Sequence, residues 1–197
     1  PDRAGGSKPI LNSISPLRSE MFDLLSVCRF SPILLVSEQN LDGRAGPCHT
    51  AEETYQAAKY LLAEARKPGR EVANQDIIID PGIAPLGTDS DGNLARLIGG
   101  LELIQNDADF AGVHVSVGLS NFSVMLPPKR ADGSPVKSPL ESAFITRAMP
   151  LGLDTIIGSV KRKYKLLDSD HPAMQCLEDC IKTGGFESIM RVREFYS

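Results

Sequence analysis

Five short apolar runs, each followed by a stretch with helical spacing, constrain this chain more than any other feature. The runs fall at 9–13, 32–36, 76–79, 112–118 and 154–157. They are mostly apolar without strict alternation, as expected of strands in a parallel sheet that is covered on both faces. Between them, 19–28, 51–66, 93–105 and 139–151 repeat apolar residues at helical intervals. Two more helices are expected at 172–182 and 186–195, separated by the Gly184-Gly185 break. Thr50 followed by Glu53 predicts a capping box at the start of the second helix. The stretches 40–49 and 125–139 are rich in turn residues and are expected to be loops. Strand–helix alternation with right-handed crossovers leaves two architectures open: an open doubly wound sheet, or a section of a (β/α)8 TIM barrel.

In either architecture the C-terminal strand ends carry the chemistry. Three of these ends present amide or carboxylate side chains: Asn12, Asp80 (in Asp80-Pro81-Gly82) and Asn121 (in Gly118-Leu119-Ser120-Asn121-Phe122-Ser123). Two amides and one carboxylate suit a planar, nitrogen-rich heterocycle, because Asp accepts hydrogen bonds and Asn both donates and accepts. Asn and Asp are also common turn formers after strands. His114 lies in an apolar run and is expected to be buried and hydrogen-bonded. Lys129 and Arg130 sit in the long loop, where they can meet an anionic substrate tail or a partner, or simply be solvated.

The net charge of -4 argues against nucleic acid and anionic membrane surfaces as partners. No apolar run approaches a membrane span and no signal peptide is visible. The four cysteines form no CxxC pair, and the His and Cys spacings do not match the common structural metal sites. Cys176 and Cys180 are expected to share a helix face. Reduced thiols in a cytoplasmic protein are the expectation, with no protein-ligated metal. Phosphate loops, dinucleotide fingerprints and hydrolase elbows are absent from any convincing context.

Leu11-Asn12-Ser13-Ile14-Ser15, Ile79-Asp80-Pro81-Gly82 and Gly118-Leu119-Ser120-Asn121-Phe122-Ser123 resemble, in this order, motifs of the pterin-binding TIM-barrel family. That family includes dihydropteroate synthases and the methyltetrahydrofolate:corrinoid protein methyltransferases, among them the folate module of cobalamin-dependent methionine synthase. The resemblance spans nearly the whole chain. It implies a single pterin-binding domain over 1–197, corresponding to the C-terminal five or so units of the barrel with the N-terminal part missing. Synthases typically carry basic residues where this chain has Ser120-Asn121-Phe122, so the methyltransferase branch is the closer match. The resemblance then implies pterin binding by residues matching Asn12, Asp80 and Asn121, with Asn121 catalytic at N5. It further implies methyltetrahydrofolate as substrate, a cobalamin-type corrinoid on a partner protein as acceptor, and a homodimer when full length. A synthase-like condensing enzyme and a non-catalytic folate-binding remnant are the alternatives.

Overall fold

The computed structural model describes residues 8–41 and 43–197. Strands β1 (Ile10–Ile14), β2 (Ser31–Leu35), β5 (Ile78–Asp80), β6 (His114–Val117) and β7 (Leu153–Ile156) form one parallel five-stranded sheet. A separate antiparallel hairpin pairs β3 (Glu38–Leu41) with β4 (Arg44–Pro47). The helices are α1 (Ala51–Ala65), α2 (Asn93–Gln105), α3 (Leu119–Phe122), α4 (Lys137–Ala148), α5 (Pro172–Thr183) and α6 (Gly185–Tyr196). The protein is thus α/β, built from repeated strand–helix units.

In the sheet the strands follow chain order, β1-β2-β5-β6-β7, without a reversal. A doubly wound sheet needs a reversal, because that is how right-handed crossovers reach its second face. Here one face takes the helices. Ile14, Leu34, Ile79, Val115, Val117 and Leu153 enter one core with Leu61, Leu97, Leu101, Phe144 and Leu177. The alternate residues lie outside this core and differ among themselves: Ile33 and Ser116 are buried, Ile78 and Asp80 half-buried, and Asn12 and His114 exposed. The expectation of strands covered on both faces holds for the middle of β2 and the end of β6 and fails at Asn12 and His114.

Several sequence expectations are recovered closely. α2 spans the expected residues, and Thr50 and Glu53 form the capping box on α1. Gly99 and Gly100 sit inside α2 where it crosses α1. A Cβ on Gly99 would lie 2.8 Å from Ala51, and one on Gly100 2.7 Å from Thr54, so the glycines permit the close approach. Other expectations change. The expected loop at 40–49 contributes to the β3–β4 hairpin. The expected helix at 19–28 is a 3-10 segment, Pro16–Ser26, interrupted at Arg18 by φ -140°. The polar exit after β6 holds the short helix α3, ahead of the expected loop at 125–139, whose last residues already belong to α4.

Candidate functional site

The site is built outward from β5. Asp80 ends that strand, and the chain turns sharply at Pro81-Gly82. Gly82 N–H donates to Asp80 Oδ1 at 2.9 Å, an Asx-type turn. Gly82 is required twice over. Its φ is +64°, and an added Cβ would lie 2.5 Å from the Cβ of Ser37. The second Asp80 oxygen accepts no hydrogen bond among the described residues. Burial raises the carboxyl pKa above its usual value, against the lowering effect of the Gly82 bond.

Beneath this turn lies a residue that periodicity alone does not reveal. Arg96, on α2, is 5% exposed. Its Nη1 donates to the Pro81 carbonyl at 3.0 Å and to Thr54 Oγ1 at 2.9 Å, and its Nη2 to the Gly82 carbonyl at 3.0 Å. No carboxylate pairs with it among the described residues. Burial lowers its pKa, with Asp89 and Cys48 as neighbouring groups. The guanidinium spends its donors on loop carbonyls, so it sets the shape of the turn that carries Asp80.

The register locates Asn12 more exactly than the sequence does. Asn12 pairs with Ile33, whereas Asp80 pairs with Leu35. Both face the side of the sheet away from the helices, but Asn12 lies mid-strand and two residues back from the level of Asp80, not at the strand exit. Ser15, just past β1, is fully buried, and its hydroxyl has no partner among the described residues. Ser116 stands level with Asp80 on the neighbouring strand, since Ile78 pairs with His114. It is 2% exposed, and its hydroxyl is also unpartnered among the described residues. Buried hydroxyls without partners are uncommon in folded proteins.

Asn121 lies in α3, directly after β6. Its backbone N–H donates to the Gly118 carbonyl at 2.9 Å. Its Nδ2 lies 3.2 Å from where a Cβ on Gly118 would stand, so the side chain folds back over the strand exit. The residue is exposed, and its amide makes no hydrogen bond among the described residues. Two residues on, Ser123 Oγ donates to Glu141 Oε1 in a short bond. Glu141 is fully buried on α4. Its Oε2 lies 3.0 Å from Arg162 Nε, within ion-pair distance though not aligned as a hydrogen bond. Burial raises the Glu141 pKa, opposed by Ser123 and Arg162. This buried link ties the Asn121 turn to the loop after β7.

The remaining expectations resolve differently. The Arg130 guanidinium stacks over the Phe195 ring of α6, 3.9 Å from its centroid, while Lys129 stays exposed in a short hairpin with an antiparallel bridge to Pro135. His114 is bonded, Nδ1 to Asp154 Oδ2 at 2.6 Å, but its side chain is 47% exposed rather than buried. It opens β6, on the same face as the buried Ser116 two residues on, with its ring held at the surface by Asp154. Cys176 and Cys180 share the α5 face that meets α6, with sulfurs near the Arg191 and Ser188 carbonyls. Among the described residues, no group of three His, Cys, Asp or Glu side chains is arranged to hold a metal. None of the helices is long and apolar enough to cross a membrane.

No family model matches this sequence, and no curated protein matches it.

Proposed function

We propose that this protein transfers the N5-methyl group of methyltetrahydrofolate to the cobalt(I) of a corrinoid carried by a partner protein. The observation that carries the reading is the polar rim around Asp80. A carboxylate with one unused oxygen stands level with the unpartnered buried hydroxyl of Ser116, beside the strand whose exit bears the free amide of Asn121. Asp80 would accept hydrogen bonds from the ring N–H groups of the pterin, with Asn12 at the edge of the same face. The sequential sheet, with helices on one face, is compatible with the C-terminal units of a (β/α)8 barrel, the form this reading assumes. The reading also carries a cytoplasmic setting and a homodimer.

The corrinoid cobalt supplies the nucleophile of the reaction. The residues of this chain act on the leaving side. A tertiary amine leaves poorly unless N5 is protonated before the methyl passes to cobalt, the electron pair of the broken C–N bond then staying on N5. A neutral amide at Asn121 can turn its oxygen toward N5–H⁺ or its N–H₂ toward a lone pair, and so follow that change without titrating. The condensing-enzyme alternative wants basic residues here, and α3 carries none. Asn121→Ala should slow single-turnover methyl transfer by about 10²-fold or more while weakening folate binding much less. An unchanged transfer rate in that variant would sink the assignment.

A further inference from the structure

Helices α5 and α6 pack against each other around a pair of sulfurs. Cys176 and Cys180, one turn apart on α5, are buried at this seam as free thiols. Cys176 Sγ lies 3.8 Å from the Arg191 carbonyl and Cys180 Sγ 3.5 Å from the Ser188 carbonyl, both on α6. The thiols also interact with each other, which raises the Cys176 pKa and lowers that of Cys180. A relaxed disulfide needs its Cβ atoms about 3.5–4.5 Å apart. Positions one turn apart on a helix hold them at about 5–6 Å. The pair is thus too wide for an S–S bond and suited to a single ion held between the two sulfurs.

Two buried donors beside this pair lack acceptors. Ser188 is 1% exposed, and its hydroxyl has no partner among the described residues, although it lies near enough to Cys180 to act on that thiol. The Arg130 Nε–H is buried and likewise without a partner among the described residues. Its guanidinium stacks on Phe195, one turn on from Arg191 along α6, and its charge reaches Cys176. Buried polar groups without partners are uncommon in folded proteins. Cysteines that only fill space behave as small apolar residues and give no reason for such donors. Both donors would gain an acceptor if the thiols became thiolates. Little is lost in that change, because S–H is a weak donor to the α6 carbonyls.

We propose that Cys176 and Cys180 bind one soft monovalent ion, copper(I), as a two-coordinate dithiolate at the seam of α5 and α6. Each thiol releases its proton to solvent, and each sulfur gives an electron pair to the ion. The copper keeps its oxidation state, and the product carries a single net negative charge. The Arg130 guanidinium offsets that charge, and the Ser188 hydroxyl donates to the Cys180 thiolate. Thiolates select soft ions such as copper(I). Zinc wants four ligands, and among the described residues no third His, Cys, Asp or Glu joins the pair. Entry of the ion needs α6 to lift from α5. The two helices join at Gly184-Gly185, both at positive φ and without side chains to lock the joint, so α6 can hinge there.

Anaerobic titration of the full chain with copper(I), in competition with a chromophoric copper(I) chelator, tests this. The chain carries Cys28→Ser throughout, so that the exposed thiol cannot imitate the site. One ion should bind per chain. Cys176→Ser and Cys180→Ser should each weaken binding by about 100-fold or more, since each removes one of two ligands. Arg130→Gln should weaken it by about tenfold, the effect of one charge-assisted interaction. X-ray absorption at the copper edge, on the chain with both buried cysteines intact, should show a shell of two sulfurs. That spectrum decides the matter if a cysteine variant fails to fold. Undiminished binding in a folded Cys176→Ser or Cys180→Ser variant, no binding once Cys28 is replaced, a shell other than two sulfurs, or zinc(II) binding as tight as copper(I) overturns the proposal.

Discussion

Arg96 Nη2 and the carbonyl oxygen of Gly82 lie 3.0 Å apart, and this contact makes a buried helix residue responsible for the shape of a loop that carries a candidate ligand group. The same guanidinium also holds Pro81 and Thr54. Arg96→Met fills similar volume but leaves two loop carbonyls without donors. It should cost about 2–4 kcal/mol in urea denaturation. Folate affinity should fall with it, because the Asp80 turn loses its support. A variant of wild-type stability and affinity would show that the turn holds its shape unaided.

Gly82 is a second support of the same turn. Gly82→Ala must place a side chain at φ +64° and against Ser37. The expected loss is about 2–3 kcal/mol, divided between the left-handed backbone and the clash. Ser37→Gly in the same chain should recover the clash but not the backbone part. Full recovery, or none, in thermal denaturation would contradict that division.

Asp80 should lower stability where its charge is present. Burial raises its folded-state pKa above the unfolded value, so the folded protein holds the proton more tightly. Below the unfolded pKa both states are protonated and nothing is lost. As pH rises through the interval between the unfolded and folded values, the folded state loses stability relative to the unfolded one. Asp80→Asn keeps an acceptor for Gly82 N–H and removes this loss. It should be more stable than the parent at neutral pH, converge with it in acid, and bind folate poorly. Denaturation midpoints of the two proteins across the acid range provide the measurement.

Glu141 anchors two rim loops, through Ser123 and Arg162. Glu141→Ala should cost about 2–3 kcal/mol, since it leaves a hydroxyl and a partly buried guanidinium unpaired. Glu141→Gln keeps an acceptor for Ser123 and should cost about 1 kcal/mol. In the alanine variant, limited trypsin digestion should cut faster after Lys161, Arg162 and Lys163, because the segment after β7 has lost the inward anchor of Arg162. Digestion at the parental rate would mean that the bonds from Lys165 N–H to Ser142 Oγ and from Leu167 N–H to Thr146 Oγ1 suffice to hold the segment.

Local signals in the sequence determine a good part of this protein. The Thr50 capping box, the bounds of α2 and the alternation of apolar runs with helical stretches rest on neighbours within a few residues, so they are legible directly. The candidate ligands Asp80 and Asn121 are legible as polar residues at strand ends. Tertiary structure decides the rest. Asn12 reads as a strand exit, but pairing with Ile33 sets it mid-strand, and register is a relation between two segments. His114 reads as buried, but it opens its strand and its ring lies at the surface against Asp154. Arg96 and Glu141 are charged residues on helices, and nothing in the local sequence marks them as buried. Each is buried because its partners, the carbonyls of 81–82 for Arg96 and Ser123 and Arg162 for Glu141, arrive from distant parts of the chain. A buried charge persists only where such partners meet it, and only the folded chain brings them there.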